Sequence, residues 1–329
     1  MGLLDRLFGG KAVKPPRLCA YGKMPFYGDF LSLRTDTPAG RRFREWLDKG
    51  FANRSGRGPL VETPQRMLFA PAGGVQEAVV AALWDSRDQG GTRQFPIALF
   101  VEVPAARLLG PTPGLFGRLQ GIWADLAAIC EEAAPSSSAS DFYARFDETT
   151  LPEVGDEETA QAGFEQELAE IPLAEWLSSL VGEAGMRGGL AVLLAALSAF
   201  RDAPDSAAVR LPISPRLGVS LQMDLWASLA ARTDGADPER VLPNLWMPLD
   251  DAAGVSTGCL ALRELRPADA ALFAHKPAGS AEDAWWRDLT ALEEEPEGLE
   301  PFAERLWRDL LGHNAAMSEL LTYRFPGLR

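Results

Sequence analysis

Two apolar runs, Val79 to Trp84 and Phe95 to Val103, are separated only by the stretch Asp85 to Gln94. Both are rich in β-branched or aromatic residues, and the linker holds Asp88, Gly90, Gly91 and Arg93. So short a connection brings the runs together as antiparallel neighbours joined by an irregular hairpin. Phe95-Pro96 opens the second strand at a point where Pro96 has no amide to donate to a ladder. Arg93 and Asp88 are placed to pair across the loop, as an exposed contact worth at most about 1 kcal/mol. A lone hairpin is marginal in water, so the remaining chain must supply more strands and a covering layer.

It does. Arg17 to Tyr21, Arg66 to Ala70 and Val209 to Ile213 read as further strands. Leu242 to Leu249 and Thr257 to Leu262 read as a second hairpin around Asp250 to Gly254. Thr37-Pro38 is an N-cap followed by proline at the first helical position, and Phe43, Trp46, Leu47 and Phe51 then share one face. Leu115, Leu119, Ile122, Leu126 and Ile129 mark another amphipathic helix, and Leu190 to Phe200 is apolar almost all round, as a buried helix is. A final helix is expected from Glu300 to Tyr323, and no internal repeat is visible. Hairpins outnumber βαβ units, so the expected class is α/β in the α+β sense: a mixed, mostly antiparallel sheet covered by helices.

Organisation follows composition. Residues 1–16 form a stub and linker in which Leu3, Leu4, Leu7 and Phe8 recur at helical spacing, so residues 3–8 are a candidate for weak docking on a membrane or a partner. Residues 17–275 make the main α/β unit, and 276–329 a helical extension. Inside the main unit, about 135–185 reads as an acidic insertion that begins at Pro135 and the serines after it. Asp147 to Glu158 combines charge with Pro152 and Gly155, and is expected to be mobile.

The second feature that stands out is Gly22-Lys23-Met24-Pro25-Phe26-Tyr27-Gly28-Asp29-Phe30. Two glycines bracket residues too apolar for an ordinary loop, and Pro25 stiffens the centre. Gly28 is read as needing a positive φ. The corner carries one cation, Lys23, and one anion, Asp29, and is open to a structural, a partner-binding or a catalytic use. Catalysis lacks support elsewhere: the two histidines, His275 and His313, lie near the C-terminus, and no nucleophile elbow, phosphate loop or metal motif stands in a fitting context. No cofactor and no metal site are expected.

A formal net charge of −14 argues against a phosphate backbone, and so against nucleic acid, as a partner. Cys19, Cys130 and Cys259 are far apart and read as reduced core residues of a cytoplasmic protein. No apolar run is long enough to span a bilayer, and no secretory leader is recognisable.

The corner, written G-K-x-P-x-x-G-D-F, resembles that of the TagF family, also called ImpM, of type VI secretion-associated proteins. Phe43-Arg44-Glu45-Trp46-Leu47 is similar to the family's W-x-x-W-L helix, with phenylalanine in place of the first tryptophan. Asp88 to Pro96 is similar to its D-x-x-G-R-x-F-P hairpin, one residue longer before Arg93. Pro243-Asn244-Leu245-Trp246-Met247 is similar to its P-S-L-W-W strand. The resemblance runs from Leu18 to about Phe273 and implies a longin- or profilin-like layer fold. It also implies a bacterial regulator that represses secretion post-translationally, without catalysis, through a forkhead-associated scaffold protein. On that reading Lys23, Tyr27, Asp29 and Trp46 are the candidate partner-binding residues. Gly22, Pro25, Gly28, Phe30, Asp88, Arg93, Phe95, Pro96 and Trp246 are the structural ones. The rival reading is a hydrolase or transferase whose site assembles around Asp29 only in the fold.

Overall fold

The hairpin read from the two apolar runs lies well inside a sheet that has nine strands among the described residues. A computed structural model describes residues 16–52, 64–70, 75–108, 114–133, 138–181, 185–202, 208–214, 216–233, 244–248, 257–261, 263–273, 286–289 and 300–323. In chain order the first elements are β1 (Cys19–Gly22), β2 (Leu31–Leu33), α1 (Pro38–Phe51), β3 (Gln65–Phe69), β4 (Glu77–Trp84) and β5 (Ile97–Pro104). Then come α2 (Leu115–Ala133), α3 (Ala139–Glu148), α4 (Glu157–Glu170), α5 (Leu173–Leu180) and α6 (Gly185–Asp202). The last are β6 (Ala208–Pro212), α7 (Val219–Thr233), β7 (Asn244–Pro248), β8 (Thr257–Ala261), β9 (Trp286–Asp288), α8 (Glu300–Asp309) and α9 (Met317–Thr322). The sheet order is β2-β1-β5-β4-β3-β7-β8-β6-β9, and every pairing is antiparallel except β6 with β9. The expected class holds.

Strand alternation sorts the side chains into two cores. Leu68, Val80, Ala82, Leu99 and Val101 face a layer that holds residues of α2, α6 and α7. Met67, Phe69, Val79, Ala81 and Phe100 face Phe43, Trp46, Leu47 and Phe51 of α1. Thr37 caps α1 as expected, its hydroxyl accepting from the Gly40 amide at 3.1 Å. Fully burying side chains of this size stabilises by about 1.5–3 kcal/mol each. The three cysteines are buried thiols outside any disulfide, and burial pushes the Cys19 thiol up to about 12.

Several sequence expectations are corrected. Leu31–Leu33, not among the strands read from the sequence, is an edge strand. The final helix is broken, because a short 3-10 turn at Leu311–His313 ends in Asn314 with φ 57°, before α9 begins. Asp147 to Glu158, expected to be mobile, packs on α2: Leu151 is buried, and Gly155 and Arg118 exchange hydrogen bonds at 2.9 and 3.2 Å. Residues 286–288 join the sheet, so the C-terminal segment contributes a strand as well as helices.

One buried carboxylate ties the helical layer together. Asp224 of α7 accepts from the Phe116 and Gly117 amides at 2.9 and 3.1 Å, supplying partners that the first turn of α2 lacks within the helix. Burial pushes its pKa up to about 7, against the pull of those amides. The unfolded chain releases this proton near pH 4, so between about pH 4 and pH 7 the folded state binds more protons. This group's stabilising contribution is therefore present at low pH and lost as pH rises through about 7, by an amount on the order of 4 kcal/mol at most. Urea unfolding at pH 5 and pH 8 should show the larger part of that loss, and Asp224→Asn, which keeps an acceptor oxygen, should flatten it. An unchanged slope in the variant would refute the assignment.

Candidate functional site

The corner begins where β1 ends. Gly22 has φ +142°, and a methyl group there would overlap the carbonyl of Pro96 at the entry to β5. The chain then turns, with the Tyr27 amide donating to the Met24 carbonyl at 3.0 Å. Met24 is wholly buried, and Phe26 packs on Phe142 of α3 with ring centroids 5.4 Å apart. Phe30 stacks on Tyr21 at 5.6 Å and meets the ring of Phe95 at 4.8 Å. Tyr21 in turn donates to Asp48 of α1 at 2.6 Å, and burial followed by that bond raises its pKa. Aromatic packing therefore fixes the corner to α1 and to the start of β5.

The β4–β5 loop locks the other side. Asp88 accepts from the Thr92 and Arg93 amides at 3.1 and 3.2 Å and from Arg93 Nε at 2.6 Å. Arg93 holds the Asp88 carboxyl below the usual carboxylate range. A second guanidinium nitrogen of Arg93 donates to the Gly28 carbonyl, and the Gln89 amide donates to the Tyr27 carbonyl at 3.1 Å. The two motifs that stand out in sequence thus interlock. The Asp88–Arg93 pair is exposed at one end only: the Arg93 side chain is 58% exposed, whereas the carboxylate is 4% exposed and serves as a hub for the loop. A shallow cleft of about 430 Å³ runs between them, lined by Met24, Pro25, Trp84, Arg87 and Gln89 among others.

Of the four candidate contact residues, two stand on the surface. Tyr27 is 40% exposed, and the Asp29 side chain is 82% exposed. Asp29 accepts from the Phe30 amide at 2.9 Å, faces Lys23 Nζ at 3.7 Å, and is not among the residues lining the cleft. Lys23 is corrected from surface to interior: its side chain is 1% exposed, with Nζ 4.0 Å above the Phe30 ring and 3.7 Å from the Asp29 carboxylate. Trp46 is corrected likewise. It is buried in α1 and donates to the Arg266 carbonyl at 2.9 Å, so it belongs to the core. Gly28 does not have a positive φ, and the nearest atom to an added methyl would be Gln89 Oε1 at 3.9 Å. The strained glycine is Gly22. Trp246 lies buried in β7 opposite Met67.

Among the described residues no three His, Cys, Asp or Glu side chains converge, and no single helix is long and apolar enough to cross a membrane. His313 is exposed and 3.8 Å from Glu319. His275 and the amphipathic stub at residues 3–8 lie outside the described residues.

Residues 19–149 match the family model of the TagF N-terminal domain, type VI secretion system-associated. A solved structure, that of PA0076 from Pseudomonas aeruginosa PAO1, is similar at 22% identity with a TM-score of 0.35. The match covers 42% of this chain and 64% of that one. No curated protein matches.

Proposed function

We propose, from the premise that residues 19–149 belong to the TagF N-terminal domain family, that this chain represses a type VI secretion system post-translationally, by binding and without catalysis. The family match is the observation that carries the reading, because it links the chain to type VI secretion. The partner is a forkhead-associated scaffold protein, met in the cytoplasm. Residues 17–275 form the binding unit, the stretch 135–185 is an insertion within it, and 276–329 supports it.

The geometry suits such a role. Tyr27 and Asp29 project from a corner that is held from both sides, so little side-chain or loop freedom is lost on docking. An aromatic side chain supplies affinity, and a formal net charge of −14 favours rapid encounter with a basic face. Deleting the gene should raise secretion activity, and overexpression should lower it, while scaffold protein levels stay constant. Secretion unaltered in both strains would refute repression.

A further inference from the structure

Out to the third strand on each side the sheet reads alike in both directions from β3; beyond that the halves part, β2 pairing antiparallel with β1 and β9 parallel with β6. β4 and β7, then β5 and β8, then β1 and β6 flank it, each successive pair antiparallel to the one before. The helix that follows β1 and β2, α1, packs on one face, and the helix that follows β6, α7, packs on the other. After β5, α2 packs beside α7; after β8, the 3-10 turn Pro267–Phe273 packs beside α1. An approximate two-fold along β3 therefore relates the two halves, a repeat that the sequence does not announce.

The same relation pairs two corners. In the sequence, Met24-Pro25-Phe26-Tyr27-Gly28 comes after β1 and Ser214-Pro215-Arg216-Leu217-Gly218 after β6, Pro215 itself lying outside the described residues. Each has glycine three residues after proline. The Tyr27 amide donates to the Met24 carbonyl at 3.0 Å, and the Leu217 amide to the Ser214 carbonyl at 3.4 Å. The second corner is occupied by α5. Ser179 and Ser214 share a hydroxyl hydrogen bond of 2.5 Å, and Glu175 lies 3.5 Å from Arg216. Leu217 is 6% exposed, within the apolar cluster that also holds Trp176, Leu177 and Leu180 of α5. At the first corner α3 covers Phe26, but Tyr27, the counterpart of Leu217, is 40% exposed.

We propose that the first corner docks an amphipathic α-helix of the partner, as the second corner docks α5. This rests on the binding role assigned above. The apolar face of the helix covers Tyr27, and because the exposed carboxylate of Asp29 lies two residues further along the corner, the helix brings a lysine or arginine.

Photo-cross-linking of the full chain in its native host tests this, with p-benzoylphenylalanine placed at the exposed position 27. Cross-links should fall on one partner segment at positions three or four residues apart, the helical period. In a Lys23→Met background, which removes the buried cation that Asp29 faces, Asp29→Lys should lower the yield at least about tenfold with the melting temperature unchanged from that background, and reversing the basic residue in the segment should restore it. Cross-links on a loop or with the alternation of a strand would overturn the helix while leaving a scaffold partner intact. Cross-links of helical period in a different protein would support the helix and sink the scaffold reading. Co-purification of the scaffold without any cross-link from position 27 overturns the proposal, and no capture of any kind overturns both.

Discussion

Gly22→Ala should destabilise the protein by about 3 kcal/mol or more, whereas Gly28→Ala should change it by less than about 0.5 kcal/mol. At Gly22 two penalties act together. A φ of +142° is a conformation that alanine rarely adopts, and the added methyl would meet both the Pro96 carbonyl and the Ile97 Cα, neither of which is a flexible side-chain end. Relieving the overlap would push β1 away from β5, with which it pairs at Tyr21 and Ala98. It would also disturb the Tyr21, Phe30 and Phe95 rings that hold the corner. Gly28 has neither problem, since its nearest neighbour, the Gln89 side-chain oxygen, is 3.9 Å from the added methyl. Urea unfolding of both variants decides the matter. Equal midpoints for Gly22→Ala and the parent would remove the structural account of the corner.

The second large effect is expected far away in sequence. Arg263 and Asp269 form a buried two-pronged ion pair at 2.7 and 2.9 Å, their side chains 6% and 0% exposed. Asp269 also accepts from the Arg266 amide at 2.6 Å, and the Arg266 carbonyl receives the Trp46 indole. The pair thus clamps the turn after β8 onto α1, where Gly50 lets Ala270 and Pro267 approach closely. Removing one partner strands a buried charge, so Asp269→Ala should cost about 3–5 kcal/mol. Replacing both ions by apolar residues leaves no such charge, so Arg263→Met with Asp269→Leu should recover most of the loss. The test is denaturant unfolding of the single and double variants. A double variant as unstable as Asp269→Ala would show that packing, and not the unpaired charge, sets the cost.

What the sequence disclosed and what it hid have physical reasons. The β4–β5 hairpin and the Thr37 cap were legible because they rest on local rules, strand alternation and N-terminal capping. Which glycine of the corner is strained was not, because that depends on Pro96, brought against Gly22 by long-range strand pairing. Lys23 carries a charge that points to solvent, yet the Phe30 ring and the Asp29 carboxylate accommodate it inside. Trp46 lies on an apolar helical stripe, and the stripe proved to be core. The two-fold escaped notice because the two corners share little beyond a proline and a glycine, with Lys23 matched by Ile213 and Tyr27 by Leu217.

The central claim is that the chain acts by binding through the Tyr27 and Asp29 corner. Its most direct measurement is a titration of the purified full chain with the forkhead-associated scaffold protein encoded alongside the secretion genes, at low and at high salt. The account predicts saturable binding at micromolar concentrations or tighter, with no chemical turnover and association slowed by salt more than dissociation is hastened. It also predicts at least about tenfold weaker binding for Tyr27→Ala at an unchanged melting temperature. No binding at micromolar concentrations, or binding that is indifferent to Tyr27→Ala and Asp29→Lys, would contradict it.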